Sequence, residues 1–363
     1  MKFQFGLRRQ FLATTLGLAL ASSFSLSVSA SEFSDSYSAY QAAVSDKNYT
    51  DALKHAEQAY QLGKSLYPKG SIDIGNLAMN MGSVLEINGK KAEAFKAYTE
   101  ALTIYQANFD DDAVELIDPL LGAADTATKP KLAREYFNDA IDIAEDTDNQ
   151  MLLANTLMAA FDNLSHTPVY NRTIQKYAIR AFDIYEEELP EDALVRVKAT
   201  YTVGMIRKSK KQNSQAIELL NKVVDQFSVL DYSHPYELAS HAQLVELYER
   251  KGQSDKSTQH CIAIGSMRPW LDSQEQVPLF RLPPEYPISA ARAGREGMVQ
   301  ISFIIDESGF VTEPKIVMSE GGSGFEKESL RAIKRWRFAP KFVDGKAVAT
   351  PSKVQLDYTL AKS

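Results

Sequence analysis

The sequence has few of the residues that catalysis or covalent cross-linking would use. It contains one cysteine, Cys261, in 363 residues, so no disulfide can form within the chain and stability has to come from packing. It has five histidines, and neither a Gly-rich phosphate loop nor a Ser, His and Asp constellation stands out. We therefore expect no enzyme activity, no cofactor and no small-molecule substrate.

Positive charge is also scarce. Lys and Arg number 40 against 47 Asp and Glu, which gives a net charge of -7. A protein that binds nucleic acid through its charge shows the opposite balance, so we expect no nucleic-acid partner. Residues 277–363 carry a net +3 and residues 1–30 carry +3, so the segment between them carries -13. Separate partners for the two segments would explain this contrast, as would ordinary solvated surface charge.

Residues suited to entering a membrane occur near the N-terminus. An apolar stretch at 11–21 follows three basic residues, and small residues at 28–30 form a cleavage pattern. We predict an export signal over residues 1–30, cleaved after Ala30. The alternative is an uncleaved anchor at residues 11–30, but its many Ser and Thr residues weaken it as a membrane span. The paired arginines leave the twin-arginine export route open.

Residues 31–274 have the pattern of a helical array. Apolar residues recur at spacings of three and four, which is typical of amphipathic helices. A small residue also returns at steps of 42, 39, 41 and 42. Two packed helices per unit require such a residue where their backbones approach closely. The equivalent positions are Ala59, Ala101, Ala140, Ala181 and Val223.

This array resembles the longer kind of tetratricopeptide repeat. The resemblance implies a stack of two-helix units that offers a concave groove to a peptide or to another protein. A role as a spacer alone is the alternative.

Three histidines in the array are candidate metal ligands. His234, His241 and His260 lie near Cys261, but their spacing matches no common zinc pattern. We predict that they are ordinary histidines of helix surfaces, that Cys261 is a buried and inert thiol, and that no metal is bound.

The composition changes after residue 277. Four prolines within ten residues end the helical pattern. Beyond them we predict strands at Met298–Ile305 and Phe310–Met318, a helix at Phe325–Arg337 and a last strand at Lys353–Leu360 with one buried face. Pro314 removes a ladder donor from the second strand, so that strand is expected at a sheet edge.

Four motifs in this region resemble the C-terminal domain of TonB proteins. They are Pro284-Glu285-Tyr286-Pro287, Gly294 to Val299, Phe303 to Val311, and Ala332-Ile333 with Trp336 to Pro340. The resemblance implies a two-helix, three-stranded antiparallel domain that binds outer-membrane active transporters, whose TonB-box peptide adds as a strand beside the last strand. The partner-binding residues implied are Pro284, Tyr286, Pro287, Lys353, Val354, Gln355, Leu356, Asp357 and Tyr358.

The predicted fold class is therefore α+β: a signal at 1–30, an all-α tetratricopeptide-like array at 31–274 and a TonB-like domain at 275–363. We expect a periplasmic protein of TonB-dependent transport that binds a transporter through its last domain. Its repeats would bind a motor-linked TonB or another envelope protein. If the anchor is retained, the protein would face the periplasm from the inner membrane.

The chain also departs from the TonB pattern. It has no histidine before His55 and no Pro-rich spacer, and Pro283 stands where the family often has Gln. A cell-envelope scaffold that binds peptidoglycan or a structural partner, without a role in uptake, is therefore the alternative function.

Overall fold

The computed structural model describes residues 24–227, 234–267 and 276–360, with side chains from Ala30 onward. The predicted signal segment lies largely outside the described residues, and so does the predicted domain boundary at 274–275. Within the described ranges, every helix is too short or too polar to cross a lipid bilayer.

The array consists of helices that pack in sequential pairs, with a short 3-10 turn at Val114–Leu116 before the fifth helix. The helices are α1 (Phe24–Ser45), α2 (Tyr49–Leu66), α3 (Ile72–Ile87), α4 (Lys91–Asn108), α5 (Ile117–Thr126), α6 (Pro130–Glu145), α7 (Gln150–Leu164), α8 (Arg172–Glu188), α9 (Leu194–Ser209), α10 (Asn213–Phe227), α11 (Pro235–Arg250) and α12 (Ser254–Met267).

The small residues of the sequence repeat occupy equivalent places in these pairs. Each lies in the second helix of its pair, from α2 to α10, and each is at most 1% exposed. Glycines allow the same close packing around a large side chain. The buried ring of Tyr98 lies against Gly82 and Gly122, where an added Cβ would come within 2.8 and 2.5 Å of the ring. The predicted two-helix repeat is confirmed.

The chain divides into two compact units, the first ending at Glu188 and the second beginning at Leu189. The second unit thus contains α9 to α12 together with the C-terminal strands.

The C-terminal part is the predicted small α+β domain. It contains α13 (Ile288–Arg292), β1 (Gly297–Ile305), β2 (Val311–Glu320), α14 (Ser323–Ile333), β3 (Lys341–Val343), β4 (Lys346–Val348) and β5 (Thr350–Tyr358). β1, β2 and β5 form an antiparallel sheet in the order β2-β1-β5. The prediction of three antiparallel strands and two helices is confirmed.

Three details differ from the prediction. The last strand, predicted at Lys353–Leu360, spans Thr350–Tyr358. The helix predicted to reach Arg337 ends at Ile333, so Trp336 lies in the segment after it. The hairpin of β3 and β4 was not predicted. Its two-residue turn is Asp344-Gly345, with φ of 49° and 75°, which is the left-handed pair of a type I′ turn.

Strand β2 lies at a sheet edge, as Pro314 predicted. Its pairing with β1 is interrupted by two register shifts, between Gln300 and Ile301 and between Ser302 and Ile304. The second shift coincides with Glu313, whose φ of 49° is left-handed, and with Pro314. The extra residues bend this edge away from regular geometry.

Helix α14 and the segment after it cover one face of the sheet. The predicted core residues Phe303, Trp336 and Phe338 are 3%, 1% and 2% exposed, which confirms that prediction. The indole N–H of Trp336 donates to the carbonyl of Leu282, 2.9 Å away, and so attaches the proline-rich segment to the core.

Arg337 joins this domain to the last helix pair of the array. Its guanidinium is buried, donates to a carboxylate oxygen of Glu249 in α11 at 2.9 Å and to the hydroxyl of Thr258 in α12 at 2.8 Å, and reaches the carbonyl of Ser308 at 3.0 Å. It also lies 3.5 Å from the ring centroid of Phe310. Helices of the array thus supply the charge partner of a residue in the TonB-like domain.

The packing around this ion pair continues the repeat pattern. Gly265 follows Val223 by a fifth step, again of 42 residues, and an added Cβ there would lie 2.4 Å from the carbonyl oxygen of Pro340 and 3.0 Å from Phe342. Where α12 would be expected to accept the next repeat, it accepts the TonB-like domain instead.

Replacing Arg337 with Met should destabilise the second unit by about 3 kcal/mol, because Glu249 would keep a nearly buried charge without its partner. Arg331→Met is the matched control, since Arg331 also contacts two carboxylates, Glu285 and Glu328, but is 55% exposed. Its loss should cost less than about 1 kcal/mol. Urea unfolding of the full chain measures both; equal losses would contradict the role given to Arg337.

Replacing Gly265 with Ala should lower the stability of the second unit, because the new methyl group meets main-chain atoms that cannot move aside. Gly204→Ala in α9 is the control: its Cβ would lie 3.3 Å from the flexible side chain of Leu220, and alanine favours the helix. The midpoint of thermal unfolding should therefore fall for Gly265→Ala, and it should rise or stay unchanged for Gly204→Ala. A neutral Gly265→Ala would argue against the close contact.

Candidate functional site

The candidate site is the outer edge of β5. This strand pairs with β1 along its whole length without a register shift, from Thr350 opposite Ile305 to Tyr358 opposite Gly297. No strand among the described residues pairs with its other side. One row of main-chain groups therefore faces outward.

The register identifies which groups these are. In an antiparallel pair, a residue either exchanges both main-chain bonds with its partner or points both groups away from it. The main-chain groups of Ile304 face β2, because its carbonyl accepts a hydrogen bond from the hydroxyl of Thr312. The N–H of Asp306, two residues later, also faces β2 and donates to the carbonyl of Phe310. Its partner on β5 is Pro351, which has no N–H to donate. The main-chain groups of Pro351 therefore face away from β1, towards the open edge of β5.

Lys353, Gln355 and Asp357 share that orientation, because they follow Pro351 at intervals of two. Each presents an N–H and a carbonyl to the open edge, and each side chain is exposed on the sheet face opposite α14. The amide of Gln355 donates to the carboxylate of Asp357 at 2.9 Å. These three predicted site residues thus form a continuous strip of main-chain donors and acceptors.

The three predicted residues between them have another role. Val354, Leu356 and Tyr358 have main-chain groups directed to β1 and side chains directed into the core. The hydroxyl of Tyr358 lies 2.7 Å from that of Ser329 and donates to the carbonyl of Phe325, and burial raises the pKa of Tyr358. These residues hold the strand in place beneath the edge.

The predicted connector lies at one end of this strand. The ring of Tyr286 contacts those of Phe325 and Tyr358 edge-on, with centroids 5.6 and 5.7 Å apart, and its hydroxyl donates to the carbonyl of Arg295. Pro287 packs against Gly324, and Pro284 is half-buried in the extended segment before them. The structure therefore brings Tyr286 to the Tyr358 end of β5.

Two residues that matter for this site were not singled out from the sequence. Pro351 sets the phase of the edge, and its signal was a proline two positions before Lys353. Arg337 fixes the domain to α11 and α12, and its signal was a charged residue between the core aromatics Trp336 and Phe338.

The histidines and Cys261 were the other candidates. Cys261 is buried, as predicted, and burial raises the pKa of its thiol to about 11. The prediction of surface histidines is wrong for His241, which is 6% exposed, with its Nδ1 2.7 Å from that of His260. Antiparallel packing of α11 on α12 brings these rings together. In the described parts of the chain, no group of three or more His, Cys, Asp or Glu side chains could hold a metal ion.

This histidine pair predicts a pH dependence. Burial lowers the pKa of both imidazoles from 6.5 to about 4. The stability they contribute is therefore fully present above pH 6.5 and is lost as the pH falls towards 4, because the unfolded chain takes up protons that the folded pair resists. We expect the urea midpoint to fall over this range, and to fall less in the double variant His241→Gln, His260→Gln. If the urea midpoints of the parent and the double variant fell equally with pH, the histidine pair would not be the source of the pH dependence.

The described residues thus form a helical repeat array followed by a small antiparallel domain with one regular open edge. Comparison with known families agrees. Residues 283–360 match the family described as Gram-negative bacterial TonB protein C-terminal, and residues 73–146 match the tetratricopeptide repeat. The chain therefore carries a TonB C-terminal domain after tetratricopeptide repeats, and both families are non-enzymatic.

Individual proteins are similar to parts of this chain. Protein TonB of Pseudomonas aeruginosa is 30% identical over 92 residues, which are 25% of this chain and 27% of that protein. The solution structure of the Pseudomonas aeruginosa TonB C-terminal domain is 30% identical and covers 26% of this chain and 94% of that domain, with a TM-score of 0.23. The apo form of RapI aligns with 65% of each chain at 15% identity, with a TM-score of 0.51. The chain thus spans about a quarter of the TonB relative, and its likeness to RapI concerns the fold.

Proposed function

We propose that this protein acts in TonB-dependent transport across the outer membrane, where its last domain binds the TonB box of a transporter as a strand added beside β5. The observation that carries the proposal is the open edge of β5, on which Lys353, Gln355 and Asp357 direct their main-chain groups outward in one phase. The family of residues 283–360 supplies the class of partner.

The edge is suited to such a partner for a physical reason. An added strand gains main-chain hydrogen bonds to groups that are otherwise solvated, and its alternate side chains extend the buried face of the sheet. The opposite edge is a poor competitor, because Pro314 and the two register shifts interrupt β2. Binding should therefore be directed to β5.

The repeats add a second binding surface. We propose that they hold a motor-linked TonB or another envelope protein, since tetratricopeptide arrays bind proteins and this one carries the acidic charge of the chain. The predicted export signal supports a periplasmic location. In this role the protein recruits partners and catalyses no reaction.

The test is calorimetric titration of the full chain with synthetic TonB-box peptides. The full chain is needed because Glu249 and Thr258 of the array bind Arg337 of the end domain. Gln355→Pro removes one outward N–H while leaving the bonds between β5 and β1, and it should weaken binding at least tenfold. Gln355→Ala removes the side chain but keeps the N–H, so it should bind within about threefold of the parent.

Equal binding by the two variants would show that the peptide is not held as a strand at this edge. Absence of binding by the parent chain, with its unfolding transition intact, would favour the envelope-scaffold function instead.

A further inference from the structure

The face of the sheet opposite α14 has an ordered charge pattern. The register places β1, β2 and β5 side chains in rows across this face, which we call the open face. One row consists of Glu320, Met298 and Asp357. The next consists of Met318, Gln300 and Gln355, and the third of Lys315, Ser302 and Lys353.

The open face is therefore acidic at one end and basic at the other. Lys353 and Asp357 are four residues apart on β5, which is about 13 Å along a strand. That separation exceeds a Debye length of about 8 Å at physiological ionic strength, so each charge acts mainly on its own neighbour. Lys315 also lies 3.8 Å from Glu313, and Asp357 accepts from Gln355, but both contacts are exposed.

A strand added at β5 would place every second side chain on this face. Directly opposite residues in neighbouring strands have Cβ atoms about 5 Å apart, close enough for opposite charges to attract and like charges to repel. The same three residues that offer main-chain groups, Lys353, Gln355 and Asp357, would flank those side chains. Main-chain binding and charge selection thus occur at the same positions.

We infer that the β5 edge selects a peptide strand with an acidic side chain beside Lys353, an uncharged one beside Gln355 and a basic one beside Asp357. This inference rests on the proposed strand addition. It specifies the order of charges along the peptide: antiparallel addition requires the basic residue first and the acidic residue four positions later, and parallel addition requires the reverse.

Two isomeric peptides test the inference. Thr-Lys-Val-Gln-Val-Glu-Thr and Thr-Glu-Val-Gln-Val-Lys-Thr, both with blocked ends, have the same composition and net charge, and a third peptide with Gln at both charged positions is the neutral reference. In titrations of the full chain, one isomer should bind about tenfold more tightly than the other, with the neutral peptide between them. The difference should shrink at 0.5 M salt.

The matched variant exchanges the two charges of the protein, Lys353→Asp with Asp357→Lys, and keeps its net charge. The preference between the isomers should then invert. Equal binding of both isomers to the parent chain, or a preference that the exchange leaves unchanged, would overturn the inference. In that case, binding of the neutral peptide that is weakened by Gln355→Pro would show that strand addition stands and that charge selection alone fails. If none of the three peptides bound, the inference would fall with the proposed function.

Discussion

The second unit depends on a buried charge. Arg337 contributes a guanidinium to the interior, and Glu249 and Thr258, both from the helical array, are the side chains that bind it. Separating the TonB-like domain from α11 and α12 would break this ion pair and the hydrogen bond to Thr258, together with the packing around them. Gly265 allows the domain to pack closely against α12, because a side chain at this position would clash with the carbonyl oxygen of Pro340. The position of the β5 edge relative to α11 and α12 is therefore fixed by contacts near Ser308 and Phe310, where β1 turns into β2.

Much of the fold could be predicted because its signals are local. The small residues at steps near 42 are all buried in second helices, and Pro314 correctly placed β2 at an edge. Residues that depend on distant partners were harder. Arg337 lies 88 positions from Glu249, and the pattern around it gives no hint of that partner. The same applies to His241. Its sequence pattern indicates a single polar residue on a helix, and the contact with His260 depends on the packing of α12 against α11. The Asp344-Gly345 pair is a local signal for the hairpin of β3 and β4, which was not among the predicted elements.

The candidate site shows a similar limit. Alternation along the last strand could be read from the sequence, and it correctly separated exposed Lys353, Gln355 and Asp357 from Val354, Leu356 and Tyr358 beneath them. Alternation does not indicate which main-chain groups are free, because that depends on the phase of pairing with β1. That phase follows from the pairing of Pro351 with Ile304, which the structure supplies. A charge pattern across three strands likewise has no counterpart in any one segment of the sequence.

The two edges of the sheet differ in a way that limits assembly. β5 is regular, whereas β2 has two register shifts, a left-handed Glu313 and a proline. Edges with regular geometry can be extended repeatedly, as in fibrils, when both sides of a sheet accept strands. In this sheet only β5 has that regular geometry, so β2 of one copy is a poor partner for β5 of the next. The irregular β2 edge thus lets the domain leave β5 open without joining further copies of itself into an open-ended sheet.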